Sequence, residues 1–319
     1  MNASLLKLVV QRLSLGLMLI FFVSILIFSG TQMLPGDVAQ AILGQSATPE
    51  ALANLRAELG LNAPVYQRYL TWLAGLLHGD LGTSLTNGQN IATAIEGRLS
   101  NTLFLAGCAA IISVPLAIIL GLVSVLYRNR WPDKLISTIT LASISVPEFM
   151  LSYILIFYIG VQLGWAPSVA MISANMSFFA KLHAIALPVT VLVMVVLAHM
   201  MRMTRAALLN VMQSAYIETA ELNGLSRFKV IWRHAFPNAI APIVNVVMLN
   251  MAYLVVGVVV VEVVFVYPGM GQYLVDHVAK RDVPVVQACG IIFAGVYITL
   301  NMLADIFSIL ANPRLRHPR

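Results

Sequence analysis

The residue types that usually carry chemistry are scarce in this chain, and their spacing fits no common reaction. The six histidines (His78, His183, His199, His234, His277 and His317) form no i, i+4 pair and no metal-ligand spacing. His277 reads as a surface loop residue. No Ser-His-Asp set, H-E-x-x-H or paired-carboxylate site stands out, which argues against an intramembrane hydrolase and against an enzyme generally. No G-x-x-x-x-G-K-[ST] occurs, so the chain lacks the usual phosphate loop for ATP. Pro268-Gly269-Met270-Gly271 is a tight turn, since no Lys-Ser/Thr follows it. The two cysteines, Cys108 and Cys289, fall in apolar runs without CxxC spacing and read as small core residues. No cofactor or metal is expected in the chain.

Two kinds of candidate remain. The first is the acids near apolar runs, where charge is costly and marks a pathway by default. Glu148 follows Pro147 inside an apolar stretch, and two readings stand open: it faces a translocation pathway, or it caps or pairs locally. Glu262 falls at an outer span end, where solvation accounts for it. Asp305 is placed to pair with a nearby Arg or Asn. The second candidate is a polar stretch, SAYIETAELNGLSRFKVIWRHAFPNA, at residues 214–239. Ser214 suits a helix N-cap, with Glu218 in the following turns. Asn223-Gly224 is a helix stop, because Gly accepts the left-handed conformation. Ser226 suits a second N-cap, and Pro237 breaks the pattern. The result is a helix–turn–helix elbow, either a handle for a partner or a stiff connector.

These pieces are set in a chain that needs lipid. It is 60% hydrophobic and 10% charged, with mean hydropathy +0.88, whereas a soluble domain has roughly a quarter of its residues charged. The net charge of +6 has no basic stripe with interleaved aromatics, so nucleic acid is not an expected partner. Six apolar stretches, at about 13–33, 101–127, 135–163, 184–203, 240–261 and 285–311, are long enough to cross a bilayer as helices. The first is too long for a signal-peptide core and lacks a clear cleavage site. With the N-terminus in the cytoplasm, thirteen of the 19 Lys and Arg fall inside, among them Arg128, Arg130, Arg202, Arg205, Arg227 and Arg233. This bias predicts six spans with both termini cytoplasmic. The elbow is then tethered at both ends to spans four and five, on the cytoplasmic side, which disfavours a DNA-binding role.

The outer segment of about 35–100 carries helix signals of its own. Thr48 suits an N-cap, Pro49 the first helical position, and Gly60 the stop. The next stretch reads as an amphipathic helix with Tyr66, Tyr69, Leu70, Leu73 and Leu77 near one face, lying on the outer membrane surface. No inverted two-half repeat is visible, and midplane acids are few, so a self-contained secondary transporter or channel stands as the alternative function.

Glu218-Thr219-Ala220, then Gly224, then His-Ala-Phe-Pro ending at Pro237, resembles the "EAA" loop of binding-protein-dependent ABC importer permeases. Thr219 replaces the first Ala, and His234 and Phe236 stand where Ile and Leu are usual. Further stretches resemble the peptide/nickel branch, in particular its dipeptide-permease-B-like subunit. They are LPGD at Leu34–Asp37, LGLNAPVYQRYLTWL at Leu59–Leu73, GDLGTSL at Gly79–Leu85 and SVPEF at Ser145–Phe149. EVVFVYPGMGQYLVDHVAKRDVPVVQ at Glu262–Gln287 and NPRLR at Asn312–Arg316 complete the series. Ala288 and Asn312 depart from the usual pattern.

The resemblance implies an all-α integral membrane protein with six transmembrane helices and the type I ABC importer permease fold. Residues 1–97 would form the first span and the periplasmic helical region, 98–311 a five-helix core with a coupling helix at about 214–224, and 312–319 a cytoplasmic tail. It implies a bacterial inner membrane location, a homologous second permease, two cytoplasmic ATPase subunits that hold ATP and Mg, and a periplasmic solute-binding protein. Glu218, Thr219, Ala220, Gly224 and Pro237 would couple to the ATPase, with the small Ala220 letting its surface approach. Pro147, Glu148 and Phe149 would line the pathway, and Glu262, Pro268, Gly269 and Gly271 would form an external motif.

Overall fold

A computed structural model describes residues 3–33, 38–44, 47–58 and 60–311. The LPGD motif, Leu59, the C-terminal NPRLR motif and His317 lie outside the described residues. Among those described, the secondary structure is helical apart from one isolated antiparallel bridge between Thr83 and Asn90. The first helices are α1 (Ala3–Gln32), α2 (Val38–Leu43), α3 (Pro49–Glu58), α4 (Val65–Leu77) and α5 (Ile91–Leu126). Then come α6 (Trp131–Ser145), α7 (Glu148–Leu155), α8 (Phe178–Ala184) and α9 (Ala186–Met212). The last are α10 (Ala215–Leu222), α11 (Arg227–Val230), α12 (Phe236–Val264), α13 (Met270–Ala279) and α14 (Val283–Ala311).

Helices α1, α5, α9, α12 and α14 are each long and apolar enough to cross a bilayer. The third expected span is not one straight helix. It is the pair α6 and α7, the latter extended by a π-helical turn at Ile156–Gln162, with a 102° bend between them. Pro147 is the cause. It supplies no N–H, and its ring pushes the residue before it out of the helical region. Val146 is accordingly extended, at φ −92° and ψ 125°. The bent pair still completes a crossing. It starts beside the end of α5, where Asn129 N donates to Asp133 Oδ2. The segment after it reaches the opposite end, where Ala170 N donates to Phe265 O at 2.8 Å.

The fifth span is longer than the sequence predicts. Pro237 does not interrupt it, because the helix runs from Arg227 to Val264 through a π-helical turn at Ile231–Ala235. A proline ring clashes with the carbonyl four residues before it. That residue, Arg233, lies inside the π turn, so the altered register takes up the proline.

In lipid, helices gain little from burying apolar surface against one another and associate by close packing instead. The centre of the bundle shows this. Leu105 of α5, Val191 and Met200 of α9, and Val258 of α12 are fully buried in one cluster. At Gly121 on α5, an added Cβ would come within 2.8 Å of Thr204 Cγ2 on α9. Leu26 and Ile111 point outward at 70% and 76% exposure, as lipid-facing residues do. Asn250 and Asn301 satisfy themselves on the carbonyls of Val246 and Tyr297. Asp305 pairs with Arg12 across α14 and α1 at 2.9 Å, in line with its expected partner. Both side chains are two-fifths exposed or more, so the pair fixes register more than it stabilises.

The helices at the end of the bundle opposite the elbow follow the sequence signals in part. Thr48 Oγ1 accepts from Ala51 N at 3.2 Å and caps α3, and Gly60 stands at φ +64°. The face of α4 is split. Tyr69 and Trp72 pack on Phe28 of α1, with ring centroids 5.3 and 5.7 Å away, and the Tyr69 hydroxyl meets Ser24 Oγ at 2.9 Å. Tyr66, Leu70 and Leu77 remain exposed on the other side.

Candidate functional site

The elbow is built by α10, α11 and the turn between them. Its helix stop is a Schellman motif. Leu225 N donates to Ala220 O at 3.3 Å and Gly224 N to Glu221 O at 2.9 Å, with Gly224 at φ +78°. That motif wants a left-handed residue at the position Gly224 holds. Among the described residues, none beyond its chain neighbours lies within 4 Å of where a Gly224 Cβ would be, so the requirement there is conformational. Two expectations change. Ser214 occupies the N-cap position of α10 but its hydroxyl turns back to donate to Val211 O at 2.5 Å, and Ser226 likewise gives α11 no side-chain cap. Ala220 does not face outward for a partner. It is buried with Ile217, Val230 and Ala235 under Val211 and Met212, so its small size lets the two arms of the elbow close on each other.

Among the residues the elbow presents outward are Glu218, Thr219, Leu222, Gly224, Leu225 and Phe228. Leu222 is 82% exposed, an apolar side chain at the tip of an otherwise ordered turn. The sequence reading missed it. The signal was present in Glu-Leu-Asn-Gly-Leu, where two leucines flank the helix stop.

A polar brace ties this elbow to the bundle. Arg227 Nη2 donates to Val125 O at the end of α5, at 3.1 Å. Nearby, Arg205 of α9 donates to both carboxylate oxygens of Asp133 on α6, at 3.0 and 3.1 Å, and to Ser124 Oγ on α5 at 2.8 Å. Ser124 also donates to Asp133. Asp133 is buried, and a two-point Arg–carboxylate contact is both strong and directional. The brace joins α9, which enters the elbow, to α6, which leads into the bend before Glu148. Sequence spacing alone carries no sign of it, since its members are 72 and 81 residues apart. Asp133→Asn leaves Arg205 without its counter-charge and is expected to cost about 3 kcal/mol. The check is a lower heat-inactivation midpoint in the purified protein, with Ser124→Ala shifting it less.

At the bend, Pro147 sits at the N-cap position of α7, Glu148 opens the helix, and Phe149 is 53% exposed. The Glu148 side chain is half-buried and makes no hydrogen bond or ion pair among the described residues. The local-pairing reading therefore finds no partner for it there. These three residues are far along the chain from the elbow, and α6 and the brace connect the two.

The third group lies at the opposite end. Glu262 is not solvated; it is fully buried. It accepts from Thr102 Oγ1 at 2.6 Å, Gly271 N at 2.6 Å and Gln272 N at 3.2 Å, so it caps the start of α13 and holds α12, α13 and α5 together. Thr102 Oγ1 in turn accepts from Met270 N at 2.8 Å. Pro268 O accepts from Asn101 Nδ2, and the Tyr267 hydroxyl donates to Asn101 O. Burial raises the pKa of that phenol. A Cβ at Gly269 would fall on the Glu262 carboxylate, and one at Gly271 would lie 2.7 Å from Val259 Cα. His277 is also not a surface residue. It is buried, its Nδ1 meets Tyr273 O at 2.9 Å, and its Nε2 is 4.0 Å from Asp282 Oδ2. Asp282 accepts from Ser84 Oγ, Thr86 Oγ1 and the Leu85 and Thr86 amides, which locks the 84–86 loop to the start of α14.

An all-helical bundle of apolar spans, with an ordered elbow at one end and a latched helix at the other, is the arrangement of a transport-system membrane subunit. Comparison with known proteins agrees. Residues 113–317 match the family described as binding-protein-dependent transport system inner membrane component, and residues 5–106 match the N-terminal region of such membrane components. The chain belongs to this family and is the transmembrane subunit of an ABC importer. A putative peptide transport system permease protein of Brucella abortus is 36% identical over 310 residues, covering 97% of this chain and 99% of that one. A glutathione transport system permease protein of Escherichia coli is 37% identical, covering 97% and 98%. The family sets aside the self-contained transporter or channel.

Proposed function

We propose that the chain forms half of the translocation pathway for peptides or glutathione-like small solutes, beside a homologous second permease. Two ATPase subunits on the elbow side hold ATP and Mg, and a periplasmic binding protein delivers solute to the opposite end. Both termini are cytoplasmic. The observation that carries this reading is the elbow tip. Gly224, Leu222 and Leu225 stand exposed on a turn held rigid by its Schellman bonds and by Arg227. A stiff, open apolar tip suits the close-fitting contact that a two-state mechanical linkage needs. Glu218 and Thr219 border the contact, Ala220 and Pro237 shape the elbow beneath it, and Pro147, Glu148 and Phe149 line the pathway at the bend. Glu262, Pro268, Gly269 and Gly271 close the external side. The division into 1–97, 98–311 and 312–319 follows from the same scheme.

The test is reconstitution. The chain with its second permease and ATPases should take up a labelled dipeptide only with ATP and the binding protein present. Uptake by this chain alone in liposomes would overturn the proposal. Orientation is checked separately. Reporters after Arg130 or Leu225 should read cytoplasmic, and reporters near Gly60 or Gly271 external, in line with the charge bias. An external reading at Leu225 would remove the ATPase contact altogether.

A further inference from the structure

The end of the bundle opposite the elbow holds a cavity of about 980 Å³, between the end of α1, α4, the 80–85 segment and the first turn of α14. Its size lies in the range of small-molecule sites. Its wall is mixed, apolar side chains alternating with charged and amide groups. Arg68 and Arg281 line it, with Asp80 as the carboxylate among its described lining residues. Asp80 Oδ1 already accepts from Gly82 N at 2.8 Å. Arg68 is half-buried on α4, and its guanidinium has no acceptor among the described residues. Burial lowers its pKa, with no acid acting against that effect. A partly desolvated cation without a counter-charge is costly. Here it borders a space large enough to admit one. The Gln67 and Asn62 amides and the Trp72 ring complete the wall around it.

We propose that this cavity binds an anionic oxyacid group, a solute carboxylate or a lipid phosphate, with Arg68 as its principal holder. A guanidinium offers two parallel donors, which match the two oxygens of either group. The site lies beside α1 and α14, apart from the bend at Glu148, and does not depend on the transport reading.

The test uses the assembled transporter without its binding protein. One arm measures equilibrium binding of labelled alanyl-alanine and of its C-terminal amide. The other measures retention of phosphatidylglycerol against phosphatidylcholine in nanodiscs by native mass spectrometry. Arg68→Ala is expected to weaken binding of one anionic probe about tenfold, the loss of one charge-assisted contact, with Arg68→Lys in between. Loss of the dipeptide but not the amide signal assigns a solute carboxylate, and loss of phosphatidylglycerol assigns a headgroup. If Arg68→Ala does not assemble, Arg68→Gln and Arg281→Ala carry the same comparison. The proposal fails if neither probe binds the parent protein, or if both bind the variants as they bind the parent. ATP-driven uptake by the parent tests the transport reading independently.

Discussion

Gly224→Val is expected to cut ATP-driven uptake about tenfold or more while leaving the membrane spans inserted. At φ +78° the native residue sits where a β-branched side chain is a steric outlier. The left-handed conformation costs about 1–2 kcal/mol for an ordinary residue, so the variant unwinds the Schellman turn or holds it strained. Either way Leu222 and Leu225 lose their fixed relation. The cost falls on the elbow alone, because no described residue beyond its chain neighbours lies within 4 Å of the new Cβ. Gly224→Asn separates the two causes, since Asn tolerates the left-handed region. It should keep the turn and lose only what its side chain obstructs at the contact. Glu218→Ala, on an exposed residue, should be mild. The measurements are ATP-driven uptake and copurification of the ATPases at matched permease levels. A passive connector predicts near-normal transport in all three variants, and that result for Gly224→Val would end the coupling proposal.

What could be read in the sequence was local. Span count, the elbow with its Gly224 stop and the Thr48 cap all follow from apolar run length and capping chemistry. Each is decided within a few residues. Much of what escaped was decided by packing that the local pattern does not announce. Glu262 reads as solvated because it ends an apolar run, but its fate is set by Thr102, 160 residues away. His277 reads as a loop residue because its neighbours are charged, yet it is buried beside Tyr273 and Asp282. Ala220 reads as a contact for a partner, while the residues that bury it arrive from α9 and α11. The Ser214 hydroxyl is a local exception: the carbonyl of Val211, three residues before it, competes with the cap and takes it. The family resemblance could order these residues along the chain without saying which of them touch.

Glycine shows the same division, and it leads to the second large effect. Gly224 is required by backbone conformation, which a helix stop announces in sequence. Gly271 is required by space, which sequence does not announce. A Cβ added at Gly271 would meet Val259 Cα at 2.7 Å and Glu262 Oε2 at 2.9 Å. The first of these is backbone of a long transmembrane helix and has little freedom to move. Gly271→Ala is therefore expected to push α13 off the end of α12, with a loss of about 2–3 kcal/mol as in other overpacked sites. Glu262→Ala attacks the same latch from the other side. It leaves the Gly271 and Gln272 amides without an acceptor and takes away the acceptor of the Thr102 hydroxyl, and an unmet buried polar group costs about 1–3 kcal/mol. Glu262→Gln retains one acceptor oxygen and should fall between the parent and Glu262→Ala. The two glycine and glutamate lesions act on one contact, so the double variant should be less harmful than the separate losses added together. Heat-inactivation midpoints of the purified parent and variants check this. A Gly271→Ala protein that melts with the parent would show that α13 does not rest tightly on Val259, and a Glu262→Ala protein that does so would show that Glu262 does not hold α13 to α12.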